Sequence, residues 1–403
     1  MGYQTPYGVL FHRRTAVRHT ATAEEIRKGL VTDVYFQRTE EVLRANGLNP
    51  WVRAEFTCKG LPGGWPWAVF AGVEEASDLL LELPLEVRAL PEGTVFHPYV
   101  PVMDIQGRYL DFARYETTFL GLLCQASGVA TMAARCKKTA DGRVVNSFGA
   151  RRLHPAVAPM VERNAYIGGC DGVALTAGAR LVGQEPVGTM PHALILIIGD
   201  TVEATQAFDR VIAPEIKRVS LIDTFNDEKI EALRVAEALG QRLFAVRLDT
   251  PGSRRGDFFR LVEEVRWELD LRGYRHVKIF LSGGLDEYQI AKYNAVADAY
   301  GVGTAISDAP VVDFSMDIVE IEGRAVAKRG KMSGSKRVSR CPVCMDLLVT
   351  PEGGEPPGHH CGMEREELLT PLISRERILR PLPSADQIRA YVLEQMEKID
   401  LQL

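Results

Sequence analysis

The segment 146–155 brings together side chains that could hold a flat, negatively charged ring. Phe148 could stack on the face of such a ring, and His154 could donate a hydrogen bond to it. Arg151 or Arg152 could meet a carboxylate or a phosphate with two parallel hydrogen bonds. The same residues have an ordinary alternative, since neighbouring arginines usually lie in solvent and a single phenylalanine usually lies in a core. Other segments of the chain are needed to distinguish a binding site from ordinary surface and core residues.

Polar residues follow candidate strands further along the chain. Arg247 and Asp249 lie two positions apart on one strand and therefore point to the same side of it. That side faces either a cleft or a core, where the two would form a buried ion pair. His192 follows a shorter strand and is either a capping or core histidine or, beside an anion, an acid, a base or a phosphate acceptor.

Glycines stand in two successive strand and helix units. Leu281-Ser282-Gly283-Gly284-Leu285-Asp286 follows a strand and opens a helix, and Gly301-Val302-Gly303-Thr304 follows the next helix. Glycine lets backbone N–H groups approach an anion closely, and the start of a helix favours negative charge. Many β/α barrels bind phosphate at this position. The two segments therefore predict a substrate that carries a phosphate.

The seven cysteines fall into two groups. Four are scattered singly through the first half, as reduced thiols are, namely Cys58, Cys124, Cys136 and Cys170. Cys341 and Cys344 have the C-x2-C spacing that places two thiolates on one tetrahedral zinc ion, and Cys361 would be a third ligand. The fourth ligand is His359 or His360, and we favour His359 because one residue separates it from Cys361. Four protein ligands predict a structural zinc ion.

The elements that position these residues change along the chain. Thr22 to Asn46 looks like one helix, with a break around Tyr35 and Arg38 as an alternative, and short β-rich runs fill the segment from Trp51 to Pro101. Tyr115 to Arg135 predicts a buried central helix. Candidate strands then run over Gly172–Leu175, Val219–Asp223, Phe244–Asp249, Val277–Ser282 and Gly301–Ile306, and candidate helices over His192–Ile212, Asp227–Leu239, Asp257–Leu271 and Asp286–Tyr300.

This order predicts an α/β protein in three parts. Residues 1–125 would form an α+β domain, joined by a returning hairpin at 312–330, and residues 126–311 would form a closed or partly open β/α barrel. Residues 331–403 would form a small zinc-binding domain that ends in a charged helix, Ser384–Ile399.

Composition limits the class of protein. The chain has 403 residues, of which 46% are hydrophobic and 25% charged, with a net charge of -5, as in an ordinary soluble α/β protein. The acidic balance gives no reason to expect a nucleic acid or a membrane surface as partner. The segment Met1 to Leu30 carries charges throughout and has no apolar core of signal-peptide length, so we predict a cytoplasmic protein.

Six segments in this order resemble nicotinate phosphoribosyltransferase, over roughly residues 20 to 336. They are Thr32-Asp33-Val34-Tyr35, Phe148-Gly149-Ala150-Arg151-Arg152-Leu153-His154-Pro155, Gly188-Thr189-Met190-Pro191-His192, Arg247-Leu248-Asp249-Thr250, Ser282-Gly283-Gly284-Leu285-Asp286 and Gly301-Val302-Gly303-Thr304. The short archaeal-type form with a zinc-binding tail is similar in outline. The resemblance implies a type II phosphoribosyltransferase fold, an incomplete β/α barrel with an N-terminal α+β sandwich domain and a small zinc knuckle.

The family joins nicotinate to 5-phosphoribosyl-1-pyrophosphate, which binds with Mg²⁺, and many members couple the reaction to ATP through a phosphohistidine. The resemblance implies that Phe148 stacks on the pyridine ring and that Tyr35, from the neighbouring subunit of a homodimer or higher homo-oligomer, closes its other face. Arg151, supported by Arg152 and His154, would bind the carboxylate or the phosphates. Arg247 and Asp249 would hold the ribose, and His192, in one segment with Thr189, would be the phosphorylated histidine. The 5-phosphate would lie on the backbones of Ser282, Gly283, Gly284, Gly301, Gly303 and Thr304.

Several alternatives stay open on sequence. Nicotinamide or quinolinate could replace nicotinate, and a zinc-ribbon nucleic-acid-binding protein is the alternative of another class. The segment Lys331-Met332-Ser333-Gly334-Ser335-Lys336 is like the mobile loop of class I aminoacyl-tRNA synthetases, but no H-I-G-H element accompanies it and we discount it. Lys137 and Lys138 face either pyrophosphate or solvent. Neither the use of ATP nor the oligomeric state can be read from the residues.

Overall fold

The computed structural model describes residues 19–354 and 361–401. Its N-terminal part contains helices α1 to α5, at Ala23–Arg27, Val34–Ala45, Val73–Leu80, Tyr109–Phe112 and Glu116–Thr139. The strands of this part are β1 to β5, at Trp51–Cys58, Ala68–Val69, Glu86–Ala89, Val95–Phe96 and Met103–Arg108. Single 3₁₀ turns lie at Pro62–Gly64 and Ala113–Tyr115.

The second part alternates strands and helices. Its strands are β6 to β11, at Val144–Ser147, Gly172–Val173, Arg218–Leu221, Leu243–Leu248, Lys278–Ser282 and Ala299–Val302. Its helices are α6 to α13, at Ala158–Ile167, Thr176–Leu181, His192–Ile198, Thr201–Val211, Glu228–Leu239, Phe258–Leu271, Glu287–Tyr293 and Thr304–Ser307. Two 3₁₀ turns lie at Ala150–Arg152 and Gly240–Arg242.

The remainder of the chain is mostly β-structure. Strands β12 to β18 lie at Phe314–Ile321, Arg324–Ala325, Lys336–Arg340, Leu347–Pro351, Glu366–Glu367, Thr370–Ser374 and Arg377–Ile378, and helix α14 at Ala385–Lys398. The predicted hairpin is confirmed as β12 and β13, and the predicted charged helix as α14.

The N-terminal sheet has seven strands in the order β13-β12-β1-β5-β3-β17-β18, and its neighbouring pairs are antiparallel. Strand β1 shows the alternation of a two-faced sheet, since Val52, Ala54 and Phe56 are buried in the apolar core and the residues between them point to the other face. The hairpin therefore returns to this sheet as predicted. The chain after residue 331 adds β17 and β18 to it and also forms a separate sheet, β15-β14-β16. The boundary at 331 stays a prediction.

The second sheet is an incomplete barrel. Its six strands run in the order β7-β6-β11-β10-β9-β8, all parallel, and β7 and β8 are its unpaired edges. Helices α5, α6, α10, α11 and α12 supply the apolar residues that pack against it. Because all these strands are parallel, their carboxyl ends lie at one edge, where barrels of this kind place their loops for chemistry.

Helix α5 connects the two sheets, as the central helix predicted from its apolar sequence. Phe119 and Leu123 pack in the N-terminal core, whereas Val129 and Ala133 pack in the barrel core. Gly128 allows close packing, because a Cβ atom there would lie 2.3 Å from the carbonyl oxygen of Pro310. Within the described residues, the segment Tyr109–Thr139 is long and apolar enough to cross a membrane, but 61% of its apolar window is buried, as expected for a core helix.

Several predicted boundaries are wrong. The segment Thr22–Asn46 forms two helices, α1 and α2, separated at Gly29, which has a φ of 61°. The predicted helix His192–Ile212 is also two helices, because Gly199 ends α8 with a φ of 97°. The predicted helix Asp286–Tyr300 ends at Tyr293, and the strand placed at Gly301–Ile306 is Ala299–Val302 instead.

Candidate active site

A cleft of about 720 Å³ opens at the carboxyl ends of the parallel strands. Its walls come from the segments that follow β6, β7, β9, β10 and β11, so five loops contribute to one site. Most of the residues predicted for the site line it, namely Phe148, Arg151, Arg152, Thr189, Arg247, Asp249, Ser282, Gly283, Gly284, Gly301, Gly303 and Thr304. The ring-binding segment and the glycine turns thus share one cavity.

Arg247 joins three segments of the cleft. Its Nε donates to Ser282 Oγ at 2.9 Å, its Nη1 donates to Thr189 Oγ1 at 2.9 Å, and its Nη2 pairs with Asp249 Oδ2 at 3.2 Å. Burial lowers the pKa of Arg247, while Asp249 opposes the shift. The planar fork of donors can hold three partners in fixed directions. Arg247 therefore sets the relative positions of these loops and places a positive charge in the cleft.

Phe148 lies in the cleft between a strand and a cation. Its ring is 5.7 Å from the ring of Phe280, and the guanidinium carbon of Arg247 lies 5.2 Å from its centroid. A Cβ atom on Gly301 would lie 2.4 Å from the Phe148 ring, so only glycine leaves room for the ring there. Gly301 lies within β11 and has its own steric reason to be glycine, in addition to the phosphate contact predicted for it.

The turn after β10 is built for a close backbone approach. Gly283 and Gly284 have φ values of 83° and 65°, which favour glycine. A Cβ atom on Gly283 would lie 2.6 Å from Asp249 Oδ1. Arg255 donates to the carbonyl oxygens of Ser282 and Gly283, so a side chain from the neighbouring loop fixes the turn. Nothing in the sequence pattern of the loop 250–256 indicated this role for Arg255.

His192 begins α8 at the rim of the cleft. Its Nδ1 is 3.0 Å from Thr224 Oγ1, and its Nε2 lies 3.8 Å from Asp223 Oδ1 and 4.0 Å from Asp249 Oδ2. Burial raises the pKa of Asp223, whose Oδ2 accepts the backbone N–H of Asp249 at 3.1 Å. We did not single out Asp223 from the sequence, although it ends a predicted strand, and the criterion that selected Asp249 would also have selected it.

Glu162 is a second residue that the sequence did not single out. It is completely buried on α6, and its carboxylate accepts from Ser147 Oγ at 2.6 Å and from the backbone N–H of Leu175 at 3.0 Å. These contacts tie the end of β6 to the loop after β7, next to Phe148. Burial raises the pKa of Glu162. Its sequence context is that of an ordinary helix residue, so only the tertiary structure reveals the contact.

Three residues predicted for the site do not line the cleft of a single chain, namely Tyr35, His154 and, at its rim, His192. Tyr35 is 55% exposed on α2, and His154 is exposed and accepts the backbone N–H of Ala156 at 3.1 Å. Lys137 and Lys138 lie elsewhere. Lys137 pairs with Asp171 at 2.6 Å, and Lys138 donates to the carbonyl oxygen of Met396 at 2.5 Å. Neither alternative considered for the two lysines, pyrophosphate or solvent, describes these contacts.

The segment 331–336 has a structural place on the N-terminal sheet. Lys331 pairs with Asp317 at 2.6 Å, and Lys336 pairs with Glu55 at 2.7 Å. Both lysine side chains are only 6% exposed. Buried lysines held by carboxylates do not form a mobile catalytic loop. The segment therefore differs from the mobile loop of aminoacyl-tRNA synthetases in its structure.

The predicted metal ligands Cys341, Cys344 and Cys361 lie together. Their Sγ atoms are within 4.8 Å of one another, which suits one tetrahedral ion. Backbone N–H groups, with that of Cys344 first, lower the pKa of Cys341, whereas burial and the neighbouring thiols raise that of Cys361 to about 11. The predicted fourth ligand, His359, lies outside the described residues, as does its alternative, His360.

Comparisons with known proteins match both main parts of the chain. The N-terminal domain of quinolinate phosphoribosyl transferase matches residues 33–127, and its C-terminal domain matches residues 129–317. A nicotinate phosphoribosyltransferase of Mycobacterium tuberculosis is 33% identical over 338 residues, which cover 79% of this chain and 70% of that protein. A nicotinate phosphoribosyltransferase of Bacillus subtilis is 28% identical over 272 residues, 65% of this chain and 53% of that protein.

Solved structures share the fold. The crystal structure of nicotinate-nucleotide pyrophosphorylase from Pyrococcus furiosus has a TM-score of 0.94 and 51% identity, over 96% of this chain and 100% of that chain. Human nicotinic acid phosphoribosyltransferase has a TM-score of 0.70 at 19% identity, over 92% of this chain and 94% of that one, which shows the fold alone. With both domains matched and the cleft assembled at the expected edge, the chain belongs to the quinolinate and nicotinate phosphoribosyltransferase family and is a phosphoribosyltransferase.

Proposed function

We propose that the enzyme transfers the phosphoribosyl group of 5-phosphoribosyl-1-pyrophosphate to nicotinate, with nicotinate mononucleotide and pyrophosphate as products. The observation that carries the proposal is the single cleft in which Phe148 and Arg151 face the same space as the glycine turns. Relatives named nicotinate phosphoribosyltransferase support the choice of nicotinate. The reaction is a step of NAD synthesis from salvaged nicotinate.

The phosphate end of the substrate is assigned to the turns after β10 and β11. Gly283 and Gly284 carry no side chains of their own, so their backbone N–H groups can approach an oxyanion closely. Thr304 opens the short helix α13 after Gly303 and offers a hydroxyl and an N–H group. Asp249 and Arg247 lie between these turns and Phe148, where a ribose would be held.

The ring end of the site is assigned to the segment 148–152. The partly buried ring of Phe148 lines the cleft and offers a contact for the pyridine ring, and Arg151 and Arg152, on a 3₁₀ turn of the cleft wall, offer a fork for the carboxylate of nicotinate. Nicotinamide has no carboxylate and would gain less from these cations. The charge of the cleft therefore favours an acid over the amide.

The reaction needs charge stabilisation more than proton transfer. As the bond between C1 of the ribose and the pyrophosphate oxygen breaks, the sugar gains oxocarbenium character and the pyrophosphate gains negative charge. The pyridine nitrogen of nicotinate then forms the new bond to C1. Arg247 adds a fixed positive charge in the cleft, and Mg²⁺ bound to the substrate would supply further charge to the leaving pyrophosphate. The carboxylate of Asp249 would hold the ribose hydroxyls and stabilise the positive charge that develops on the sugar.

Pyrophosphate release with nicotinate, nicotinamide or quinolinate as the only pyridine tests the proposal. We expect the largest kcat/KM with nicotinate. Quinolinate is the second candidate, since the matched domains carry its name. Preferential turnover of quinolinate, with release of CO₂, would replace the proposal by that function. No turnover with any of the three would contradict both.

Coupling to ATP is a further part of the proposal and rests on His192. Its imidazole lies beside Asp223 and Asp249 at the rim of the cleft, where a phosphorylated ring would face the pyrophosphate site. Incubation with γ-labelled ATP should label the protein, and His192→Asn should abolish the label. A label that survives the substitution would exclude His192 as the phosphorylated residue. The absence of any label in the unaltered protein would contradict coupling to ATP.

We also propose a homodimer in which Tyr35 of one subunit closes the ring site of the other. Its exposure on α2 leaves it free for such a contact. Tyr35→Ala and Arg247→Lys should each reduce activity when purified alone. Mixing and reassociating the two variants should restore part of the activity, because one site of each mixed dimer would be intact. Failure to recover activity, with subunit exchange verified by mass, would place Tyr35 outside the site.

A structural zinc ion completes the proposal, held by Cys341, Cys344 and Cys361 with His359 as the fourth ligand. The three thiols converge within bonding reach of one ion, and the C-x2-C turn is typical of zinc sites. Zinc would cross-link the segments of the tail that carry the cysteines. It would take no part in phosphoribosyl transfer, since the cluster contributes no residue to the substrate cleft.

A further inference from the structure

A second cleft lies between the N-terminal sheet, the tail and helix α14. It has a volume of about 350 Å³ and shares no lining residue with the substrate cleft. Small-molecule sites in proteins begin at about this size. Among its lining residues are two arginines, Arg340 and Arg380, together with Thr370, Gln387 and Tyr391, so the wall offers cations, hydrogen-bonding groups and an aromatic ring.

The carboxylates that line this cleft are already neutralised. Glu92 receives two hydrogen bonds from Arg163, at 3.2 and 3.1 Å, and Glu366 pairs with Arg340 at 2.6 Å. Glu367 pairs with Arg337 at 2.7 Å. Every acidic side chain in the wall thus has an arginine partner, and Glu92 shares its partner, Arg163, with Glu74, which lies 2.6 Å from that guanidinium.

Arg380 has no such partner. No carboxylate among the described residues lies within ion-pair distance of it, its Nη2 donates to the carbonyl oxygen of Ala89 at 2.9 Å, and its Nε is buried without an acceptor. Burial alone lowers the pKa of Arg380. A half-buried guanidinium without a counter-ion is costly, and an anion bound in the cleft would offset that cost. Of the two arginines in the wall, Arg340 is paired with Glu366, and Arg380 is the one without a carboxylate partner among the described residues.

We propose that this cleft binds a phosphate group, with Arg380 as its main ligand. A guanidinium matches the paired oxygens of an oxyanion, and a phosphate would meet the charge that the protein leaves unpaired. Arg340 is held in place by Glu366 and by Gln395, whose Oε1 accepts its Nη1 at 2.7 Å, and its paired guanidinium forms a rigid part of the wall. The volume admits inorganic phosphate or the phosphate end of a small metabolite. The site is separate from that for 5-phosphoribosyl-1-pyrophosphate.

Calorimetric titration with inorganic phosphate, and in a second arm with ribose 5-phosphate, tests the site in the full-length protein. We expect two binding events in the unaltered protein. Arg380→Gln should weaken one of them about tenfold or more, as the loss of a charged hydrogen bond implies. Arg377→Gln, an exposed neighbour on β18, should leave both events unchanged. Arg247→Lys should weaken only the other event, which belongs to the substrate cleft.

The stability of the variant separates a ligand from a structural role. Because Arg380 is an uncompensated charge, Arg380→Gln should have an equal or higher Tm than the unaltered protein in phosphate-free buffer. Binding at the second cleft that is the same in Arg380→Gln and Arg377→Gln would overturn the proposal, and so would a large fall in Tm of Arg380→Gln without phosphate. If phosphate binds and ribose 5-phosphate does not, the ligand is the free ion. Binding of both identifies a phosphorylated metabolite as a ligand.

Discussion

At the scale of single residues, the substrate cleft depends on one side chain that joins loops from separate strands. Arg247 contacts Ser282, Thr189 and Asp249, and its guanidinium also lies 5.2 Å from the centroid of the Phe148 ring. The turn after β10, the loop after β7 and the Phe148 ring therefore share one cation. A lysine at this position would keep the charge but would lose the fork that reaches several partners at once.

We accordingly expect Arg247→Lys to lower kcat/KM about 100-fold, since loss of one or two charged hydrogen bonds costs about 3 kcal/mol. Pyrophosphate release under saturating and limiting substrate measures the effect. Arg254→Lys is the matched control, because Arg254 is exposed in the following loop and should keep full activity. Equal activity of the two variants would contradict the role given to Arg247.

Gly301 supports a second prediction about single residues. A methyl group at this position would lie 2.4 Å from the ring of Phe148 and would push the ring into the cleft. Gly301→Ala should therefore raise the KM for nicotinate about tenfold, and the crowding should cost about 1–3 kcal/mol of stability. Steady-state kinetics with varied nicotinate measure the change. Gly252→Ala, where no atom lies within 4 Å of the added carbon, should behave as the unaltered enzyme. An unchanged KM in Gly301→Ala would separate Phe148 from nicotinate binding.

These residues also show which parts of the site can be predicted from the sequence. Strand-end positions identified Arg247, Asp249 and the glycines, because the period of a strand and the edge of a parallel sheet are local rules. Asp223 obeyed the same rule and was overlooked. Arg255 and Glu162 could not be found in this way, since their contacts join segments that only the tertiary structure brings together.

At the scale of elements, the strands and long helices follow from their periodicity, whereas their ends depend on contacts that are not local. Tyr300 was assigned to a helix, yet it lies in β11 with its hydroxyl donating to Asn294 Oδ1 at 2.8 Å. The polar and apolar pattern around Tyr300 is compatible with both structures. In the strand, the buried hydroxyl of Tyr300 has a hydrogen-bond partner just after α12, and this contact favours the strand over the helix.

Glu116, the first residue of α5, has a raised pKa that makes the stability of the protein depend on pH. Burial raises the pKa of Glu116 to about 7, and the nearby carboxylates Asp317 and Asp33 add to the shift, while Lys328 opposes it. The folded protein therefore binds this proton more tightly than the unfolded chain. The contribution of Glu116 to stability is present below about pH 4.5 and is lost as the pH rises through about 7.

Glu116→Gln should consequently be more stable than the unaltered protein above pH 7, by about 1–2 kcal/mol after allowance for solvent screening. The difference should shrink towards pH 5. Urea unfolding at pH 5.5 and pH 8.5 measures it. Glu41→Gln, which replaces an exposed carboxylate on α2, should show no such dependence. A stability difference that stays constant with pH would contradict a proton held by Glu116.

At the scale of the whole molecule, the chain after residue 331 belongs to more than one layer. Strand β17 pairs with β3 in the N-terminal sheet, and Val338 of β14 enters the same core. Helix α14 packs against α5 and against β2 and β4. Its Gln395 accepts from the backbone N–H of Val95 at 2.9 Å. The sequence predicted a zinc-binding tail but not this interleaving, because pairing of distant strands leaves no local pattern. A metal ion in the tail would therefore stabilise the N-terminal sheet as well.

The cysteine cluster allows this coupling to be tested. We expect about one zinc ion per chain by elemental analysis, and Cys344→Ser should lose most of it, because the cluster supplies three of the four ligands that a structural site needs. Loss of the ion should lower Tm by several degrees, since a ligand bound only by the folded state stabilises that state. At 25 °C, kcat should change little, because no cysteine of the cluster lines the substrate cleft. Val343→Ser, an exposed position between two of the ligands, should keep both the zinc and the Tm. A zinc-free protein with an unchanged Tm would mean that hydrogen bonding and the shared core alone hold the tail.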